Sequence, residues 1–264
     1  MNQEIGCIER VNRGIVLLLS AHVFFSSCVV EGQTSRLQSV DAVPAPTEIL
    51  EAAERAMGTE SARASVHSIF AIAACHGPNG DYETRTTSER SGNLSFQQFF
   101  PDRRNIAGIL DGRGWQLGQN GRPEWIDATE TSVLRGHEFS LIALDLRKRF
   151  HDFKTIGRTQ FEGQPANRIA MTDELGNPAT SYFSLTTQLP IGLTVTNARA
   201  GGPRTITIRF DGWRLTDGVK LVSHVTIFHG SRIWVFDFKT LKLNSAGKEA
   251  FQIPTTPTAL TERK

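Results

Sequence analysis

Three runs of alternating apolar and polar residues constrain the fold of this chain more than any other feature. The alternation passes through residues 205–210, 225–229 and 234–238, and turn residues at Trp213–Gly218 and Gly230 separate the runs. A period of two predicts strands that turn one face to an apolar core and the other to water. Because short turns join these strands, consecutive ones pair antiparallel. The C-terminal part of the chain is therefore predicted to be an antiparallel sheet.

Earlier segments add two helices and more strands. The segment Thr47–Met57 carries one apolar stripe, with Thr47 as N-cap and Gly58 after its end, which predicts a short helix. Residues 130–150 predict a second helix with a broad apolar face and a basic end. A basic amphipathic helix also suits a membrane surface, but packing on the sheet is the favoured interpretation. Alternation predicts further strands at residues 66–74, 82–89, 94–100, 104–110, 154–161, 166–171, 181–185 and 191–196.

Residues 1–28 have the pattern of an export signal. The apolar run Ile15–Phe25 follows two arginines and is too short to cross a bilayer, which takes about 20 residues. Ser26 and Ser27 supply the small residues of a cleavage site. Cys28 then allows two interpretations that stay open, lipidation as in a bacterial lipobox or an ordinary cleavage site. Either one predicts a periplasmic or envelope-attached protein.

After this signal, the chain is expected to form one domain. Residues 29–46 are polar and aperiodic and predict a flexible linker, residues 47–254 carry the helices and strands, and residues 255–264 form a loose tail. With 264 residues, 39% of them hydrophobic, the chain is long enough to bury one sizeable core. Its 29 basic and 27 acidic residues are well mixed, which gives no electrostatic case for binding nucleic acid.

No constellation in the sequence predicts catalysis or metal binding. The pair His137–Glu138 begins like a zinc-protease motif, but Leu141 occupies the position of the second histidine. His224 and His229 lie five residues apart on one predicted strand and so point to opposite faces. The Gly-x-Ser-x-Gly sequence of many hydrolases is absent. We therefore expect a protein that is not an enzyme and that uses no cofactor and no metal.

Several short stretches are similar to motifs of one protein family. They are the helix Ile49–Gly58, the step Gly163–Ile169, the hairpin Tyr182–Pro190, the pair Phe210–Trp213 with Asp217–Leu221, and a closing strand that Asn244 and the ending Phe251–Pro254 match. In this order they resemble the LolA/LolB-like lipoprotein-carrier superfamily. The resemblance implies an α+β fold, with a long antiparallel curved sheet, an open half-barrel, and helices packed in or over its concave face. It also implies an exported, non-enzymatic protein that binds a lipid or the acyl chains of a lipoprotein.

Seven apolar side chains are candidates for the lining of such a cavity, because alternation places them on the inner faces of predicted strands. They are Phe96, Ile206, Ile208, Phe210, Trp234, Phe236 and Phe238. In the other interpretation, helix 130–150 fills the concavity and these residues are ordinary core. The first interpretation predicts a lipid-binding protein, and the second predicts an envelope sensor or interaction domain with a protein partner. A lipidated Cys28 would add membrane attachment.

Overall fold

The computed structural model describes residues 43–199 and 202–255, all within the unit Ala42–Lys264, and their side chains except those of 197–199 and 202–204. The predicted signal with Cys28, almost all of the linker, and residues 256–264 lie outside the described part of the chain. The described helices are α1 (Pro46–Met57), α2 (Glu60–Ala64), α3 (Ala128–Arg135), α4 (Phe139–Leu144), α5 (Leu146–Arg149) and a 3-10 helix (Lys248–Phe251). The described strands are β1 (Ser68–Gly77), β2 (Gly80–Glu89), β3 (Leu94–Phe99), β4 (Arg104–Leu110), β5 (Arg113–Leu117), β6 (Pro123–Trp125), β7 (Phe150–Phe161), β8 (Gln164–Asp173), β9 (Pro178–Ser184), β10 (Pro190–Arg199), β11 (Gly202–Thr216), β12 (Val219–His229) and β13 (Arg232–Leu243).

Every described strand belongs to one antiparallel sheet, which curves and does not close. The strand order is β6-β5-β4-β3-β2-β1-β13-β12-β11-β10-β9-β8-β7, so two meanders meet where β1 pairs with β13. We call β1–β6 the N-terminal half-sheet and β7–β13 the C-terminal half-sheet. Helices α3, α4 and α5 carry the chain from the outer edge at β6 to the outer edge at β7. The α+β open half-barrel expected from the sequence is confirmed.

Different helices cover the two half-sheets. Helices α1 and α4 pack on the C-terminal half-sheet and build the main apolar core with it and with β1. Helix α3 packs over β4 and β5, where Leu94, Phe96, Ile109 and Leu134 form a smaller cluster. Each fully buried side chain of this kind stabilises the fold by about 1.5–3 kcal/mol, so the main core contributes most of the apolar stabilisation. Among the described residues, no helix has the length and apolar content that a membrane crossing requires.

The N-cap of α1 is Ala45, two residues before the predicted cap Thr47. Pro46 occupies its first position, where the missing N–H of proline would have no intrahelical partner anyway. Instead of the predicted threonine cap, Oε2 of Glu48 accepts a hydrogen bond of 3.2 Å from the backbone N–H of Ala45. At the other end, Gly58 has φ +153°, and a Cβ there would lie 2.7 Å from the carbonyl oxygen of Gly218. Only glycine therefore allows α1 to end against this turn.

The prediction of one continuous helix over residues 130–150 is wrong, because the segment is divided into α3, α4 and α5. Asp127 caps α3 by accepting a hydrogen bond of 2.8 Å from the N–H of Glu130. The break between α4 and α5 lies at Asp145, which has φ −124°. Both carboxylate oxygens of Asp145 accept hydrogen bonds of 2.7 Å from the guanidinium of Arg90, just after β2. Such a bidentate pair is strong and stabilises the break. The helical periodicity of the sequence does not predict the pair.

Two other predictions near the C-terminus are wrong. Strand β11 continues through Trp213 to Thr216, so the turn to β12 is shorter than expected. Gly212 has a positive φ of +62°, and the strand pairing with β12 continues on both sides of it. Phe251, which the resemblance assigned to a closing strand, lies in the 3-10 helix against β3 and β4.

Candidate ligand-binding site

Helix α4 packs against β12 of the C-terminal half-sheet, and all its residues are buried. Four predicted cavity residues are buried on the neighbouring strands β11 and β13, and none is more than 6% exposed: Ile208, Phe210, Phe236 and Phe238. The ring of Phe139, the first residue of α4, lies 5.1 Å from that of Phe236 and 6.2 Å from that of Phe238. The four side chains are packed as core, and ligand contact at them stays a prediction.

Phe96 lies apart from the other six candidates. It belongs to the smaller cluster under α3, in the N-terminal half-sheet. The ring of His137 connects the two regions, because it lies 4.5 Å from the ring of Phe96 and 6.4 Å from that of Phe236. Alternation predicts a buried side chain at Phe96, but it does not say which of the two cores receives it.

The remaining two candidates, Ile206 and Trp234, are half-buried beside the main core. Trp234 packs against Gly77 of the neighbouring strand, where a Cβ would lie 2.7 Å from Cδ1 of the indole. Next to it, Tyr82 stacks on Phe100 with their ring centroids 4.7 Å apart. Ile206 and Trp234 are therefore only partly covered, Trp234 lies near the aromatic pair Tyr82–Phe100, and ligand contact at the two candidates stays a prediction.

A pocket of about 280 Å³ opens between α1 and the strands β8 and β9, and we call it the α1 pocket. Ile49 and Ala52 of α1, Phe183 of β9 and Leu185 of the turn after it form its apolar walls. The other lining residues are Pro44, Glu48, Asn167, Ser184 and Gln188. None of the seven predicted cavity residues lines the α1 pocket. The structure therefore adds a site that the alternation of the late strands does not indicate.

The polar groups of the α1 pocket differ in how well they are paired. Oδ1 of Asn167 is shielded from solvent and receives no hydrogen bond from the described residues. Oγ of Ser184, by contrast, accepts hydrogen bonds of 3.2 Å and 3.1 Å from the N–H groups of Thr186 and Thr187. Because Oδ1 of Asn167 has almost no accessible surface, the pocket presents mainly its apolar walls to a ligand.

The sequence contains weak signals for the α1 pocket. The family resemblance includes both of its walls, the opening helix from Ile49 and the hairpin Tyr182–Pro190, but not their proximity in the fold. Leu185 is an apolar residue in a turn, and it is 40% exposed. Asn167 gives no signal of its own, because a polar residue within a strand suits a solvent-facing position equally well.

The His137–Glu138 pair lies at the break between α3 and α4. Glu138 is 2% exposed, and its Oε2 accepts a hydrogen bond of 2.7 Å from Arg149, with Arg135 at 3.7 Å. Burial raises the pKa of Glu138 and Arg149 opposes this, while burial lowers the pKa of His137 against two backbone hydrogen bonds. Within residues 43–199 and 202–255, no three metal-ligating side chains come together. The contacts of the pair reach Val133 of α3 and Arg149 of α5, on either side of the break.

Comparison with known proteins finds solved structures with a similar fold. No protein family model matches the sequence, and no curated protein matches it either. A LolA superfamily protein from Nitrosomonas europaea has a TM-score of 0.56 and 12% identity, over 79% of this chain and 98% of its own. A DUF1329 family protein from Desulfovibrio piger has a TM-score of 0.53 and 12% identity, over 78% and 98%. A putative outer membrane lipoprotein-sorting protein domain from Vibrio parahaemolyticus has a TM-score of 0.51 and 12% identity, over 78% and 97%. At this identity the likeness establishes a shared fold.

Proposed function

We propose that this chain, whose fold is LolA/LolB-like, binds a lipid or the acyl chain of a lipoprotein in the bacterial envelope and catalyses no reaction. The α1 pocket is the observation that carries the proposal. Its walls of Ile49, Ala52, Phe183 and Leu185 present an apolar surface between a helix and the sheet. An alkyl chain can enter there without displacing the side chains that α4 covers.

The size and lining of the α1 pocket support the binding of one chain segment. Its volume of about 280 Å³ lies just below the ~300–1,000 Å³ of typical small-molecule sites, so it accommodates part of an acyl chain. Each methylene group buried there would contribute about 0.8 kcal/mol. The likeness to a putative outer membrane lipoprotein-sorting protein domain supports an acylated cargo and an envelope location.

Filling the α1 pocket tests the proposal. In Ala52→Trp an indole replaces a methyl group in the pocket wall, and we expect binding of the neutral probe N-phenyl-1-naphthylamine to weaken about tenfold or more. That factor corresponds to the loss of about two buried methylene groups. Glu51→Trp, on the exposed side of the same helix, is the matched control and should bind the probe like the wild type. Fluorescence titration measures both variants.

Mass spectrometry of organic extracts from the purified protein tests for a natural ligand. We expect a co-purified lipid whose amount falls in Ala52→Trp and not in Glu51→Trp. Repeated absence of any lipid, together with equal probe binding by the two tryptophan variants, would contradict the proposal.

A second candidate function is an envelope sensor or interaction domain that binds a protein partner. The observation that favours it is α4, whose residues are all buried and which packs on β12 over predicted cavity residues. Capture of a defined envelope protein by lipid-free protein, with the same affinity in Ala52→Trp, would favour this function over lipid binding.

A further inference from the structure

We infer that a second lipid site lies at one end of the C-terminal half-sheet, where half-buried apolar side chains and Arg232 hold a lipid with an anionic headgroup. The inference rests on the proposed function of lipid binding, and it names the class of lipid and a place for it outside the α1 pocket. Two observations carry it. An apolar surface stays partly exposed there, and the side chain of an exposed arginine beside it has no partner among the described residues.

Strand register places two rows of side chains next to each other, on the face of the C-terminal half-sheet that carries Phe236. The inner row joins directly opposed residues of β10, β11, β12 and β13: Leu193, Ile208, Ile227 and Trp234. The outer row lies two residues farther along each strand: Val195, Ile206, His229 and Arg232. Because neighbouring strands lie about 4.8 Å apart, each row spans about 14 Å, which is enough for a segment of an extended alkyl chain.

The burial of apolar side chains decreases across these two rows. Leu193 and Ile208 are at most 6% exposed. The other four apolar members are only half-buried against the main core, and we call them the open strip: Val195, Ile206, Ile227 and Trp234. An alkyl chain on the open strip would remove apolar surface from water, which favours binding.

Arg232 gives this end of the sheet its positive charge. It ends the outer row, it is exposed, and its side chain forms no hydrogen bond or ion pair with the described residues. Neither row contains an acidic residue. Asp81, two strands away, lies on the opposite face of the sheet, because its partner His76 is paired with Val235 rather than with Trp234. A carboxylate or phosphate beside the open strip would therefore meet a guanidinium, which binds both groups well, and no like charge within the rows.

A brominated fatty acid tests the site directly, because bromine atoms on an alkyl chain quench the fluorescence of a tryptophan that the chain touches. The acid 9,10-dibromostearate is an anion at alkaline pH, and its methyl ester carries the same chain without the charge. We expect the monomeric acid to quench the fluorescence of the wild type. Most of that quenching should disappear in Trp234→Phe, which keeps an aromatic ring in the open strip. The other tryptophans lie elsewhere, two in the N-terminal half-sheet and one toward the other end of β11: Trp115, Trp125 and Trp213.

Substitution of Arg232 tests the preference for an anionic head. Arg232→Gln should weaken binding of the acid about threefold to fivefold, but not binding of the ester. That factor corresponds to an exposed ion pair of about 0.6–1 kcal/mol. Arg232→Lys keeps the charge and should restore most of the affinity for the acid. Arg122→Gln makes the same change of charge in an exposed loop of the N-terminal half-sheet, and this matched control should bind the acid like the wild type. High ionic strength should reduce the preference for the acid over the ester.

The outcomes distinguish this inference from the proposed function. Undiminished quenching in Trp234→Phe, or equal affinity of the wild type for the acid and the ester, overturns the inference. Equal weakening of acid binding by Arg232→Gln and Arg122→Gln also overturns it. In each of these cases the proposed function stands if Ala52→Trp still weakens binding of N-phenyl-1-naphthylamine. If neither this probe nor the brominated acid binds the wild type, the inference and the proposed function both fail.

Discussion

The two half-sheets share one antiparallel pattern, yet the side chains that they bury differ chemically. The N-terminal half-sheet buries Thr84 and Gln98 beside its small apolar cluster, whereas the C-terminal half-sheet carries the main apolar core. Gln98 pairs with Asn105 at 3.0 Å, and Oγ1 of Thr84 lies 3.4 Å from Sγ of Cys75, whereas the indole N–H of Trp115 has no hydrogen-bond partner among the described residues. Each half-sheet thus buries an unpaired polar atom, Trp115 Nε1 in one and Asn167 Oδ1 in the other, so polar pairing does not separate them. The difference lies in the apolar surface, because the α1 pocket opens on the C-terminal half-sheet.

The largest expected effect distinguishes two phenylalanines, one from each half-sheet. Phe236→Ala removes a ring from the main core, where α4 and the neighbouring strands prevent collapse of the cavity, so the free energy of unfolding should fall by about 3–5 kcal/mol. Phe96→Ala affects a cluster with fewer members, which can relax more easily, and should cost about 3 kcal/mol or less. Urea unfolding measures both values.

Probe binding gives this pair of variants a second readout. Phe96→Ala should leave the affinity for N-phenyl-1-naphthylamine unchanged, because its cluster is separate from the core that α1 and α4 cover. A larger loss of unfolding free energy in Phe96→Ala than in Phe236→Ala would show that the N-terminal half-sheet holds the principal core. That result would contradict the difference between the half-sheets.

A pH dependence is expected where the half-sheets meet, at His137. The histidine ring contacts Phe96 and Phe236, and burial lowers its pKa below the ordinary value of 6.5. Below pH 6.5, the unfolded chain binds a proton that the native chain does not. The stability contributed by neutral His137 is therefore present above pH 6.5 and is lost as the pH falls through the native pKa. The slope for one proton is at most about 1.4 kcal/mol per pH unit.

Urea unfolding over a pH series tests this dependence. His137→Gln should flatten the decline in stability below pH 6.5. Glu138 acts with the opposite sign: burial raises its pKa above 4.5, so its contribution is complete below pH 4.5 and is lost as the pH rises through the native pKa. Glu138→Gln removes that opposing term and should make the effect of His137 steeper. Equal slopes in the wild type and His137→Gln would exclude His137 as the titrating group.

Local patterning predicts the sheet well, because a strand with one buried face repeats its apolar residues at every second position. The strands Leu94–Phe99 and Arg104–Leu110 match the predicted ranges within one residue. The helical crossover is less predictable. Apolar residues continue on both sides of Asp145, where the pair with Arg90, from a distant part of the sequence, marks the break between α4 and α5, and a separate break at Gly136–Glu138 divides α3 from α4.

The candidate site is harder to predict than the sheet, because it depends on what covers each strand. Trp234 and Phe236 follow the same alternation, yet Trp234 is half-buried and Phe236 is only 2% exposed. The difference arises because Phe139 of α4 packs on Phe236. The α1 pocket arises from the approach of α1 to the end of β9. That distance is set by tertiary packing, and neither segment encodes it alone.

The smallest expected effect concerns the outer edge of the N-terminal half-sheet. Trp125 on β6 is 53% exposed, and the guanidinium carbon of Arg113 lies 3.9 Å from its ring centroid. An exposed cation–π contact of this kind contributes about 0.5–1 kcal/mol. A double-mutant cycle with Arg113→Gln and Trp125→Leu should give a coupling free energy of that size in urea unfolding. Arg122→Gln makes the same change of charge in the preceding loop, and its coupling with Trp125→Leu should be near zero. If the two arginines couple equally, strand pairing alone holds this edge, and the half-sheets differ in their buried side chains but not in how their edges are held.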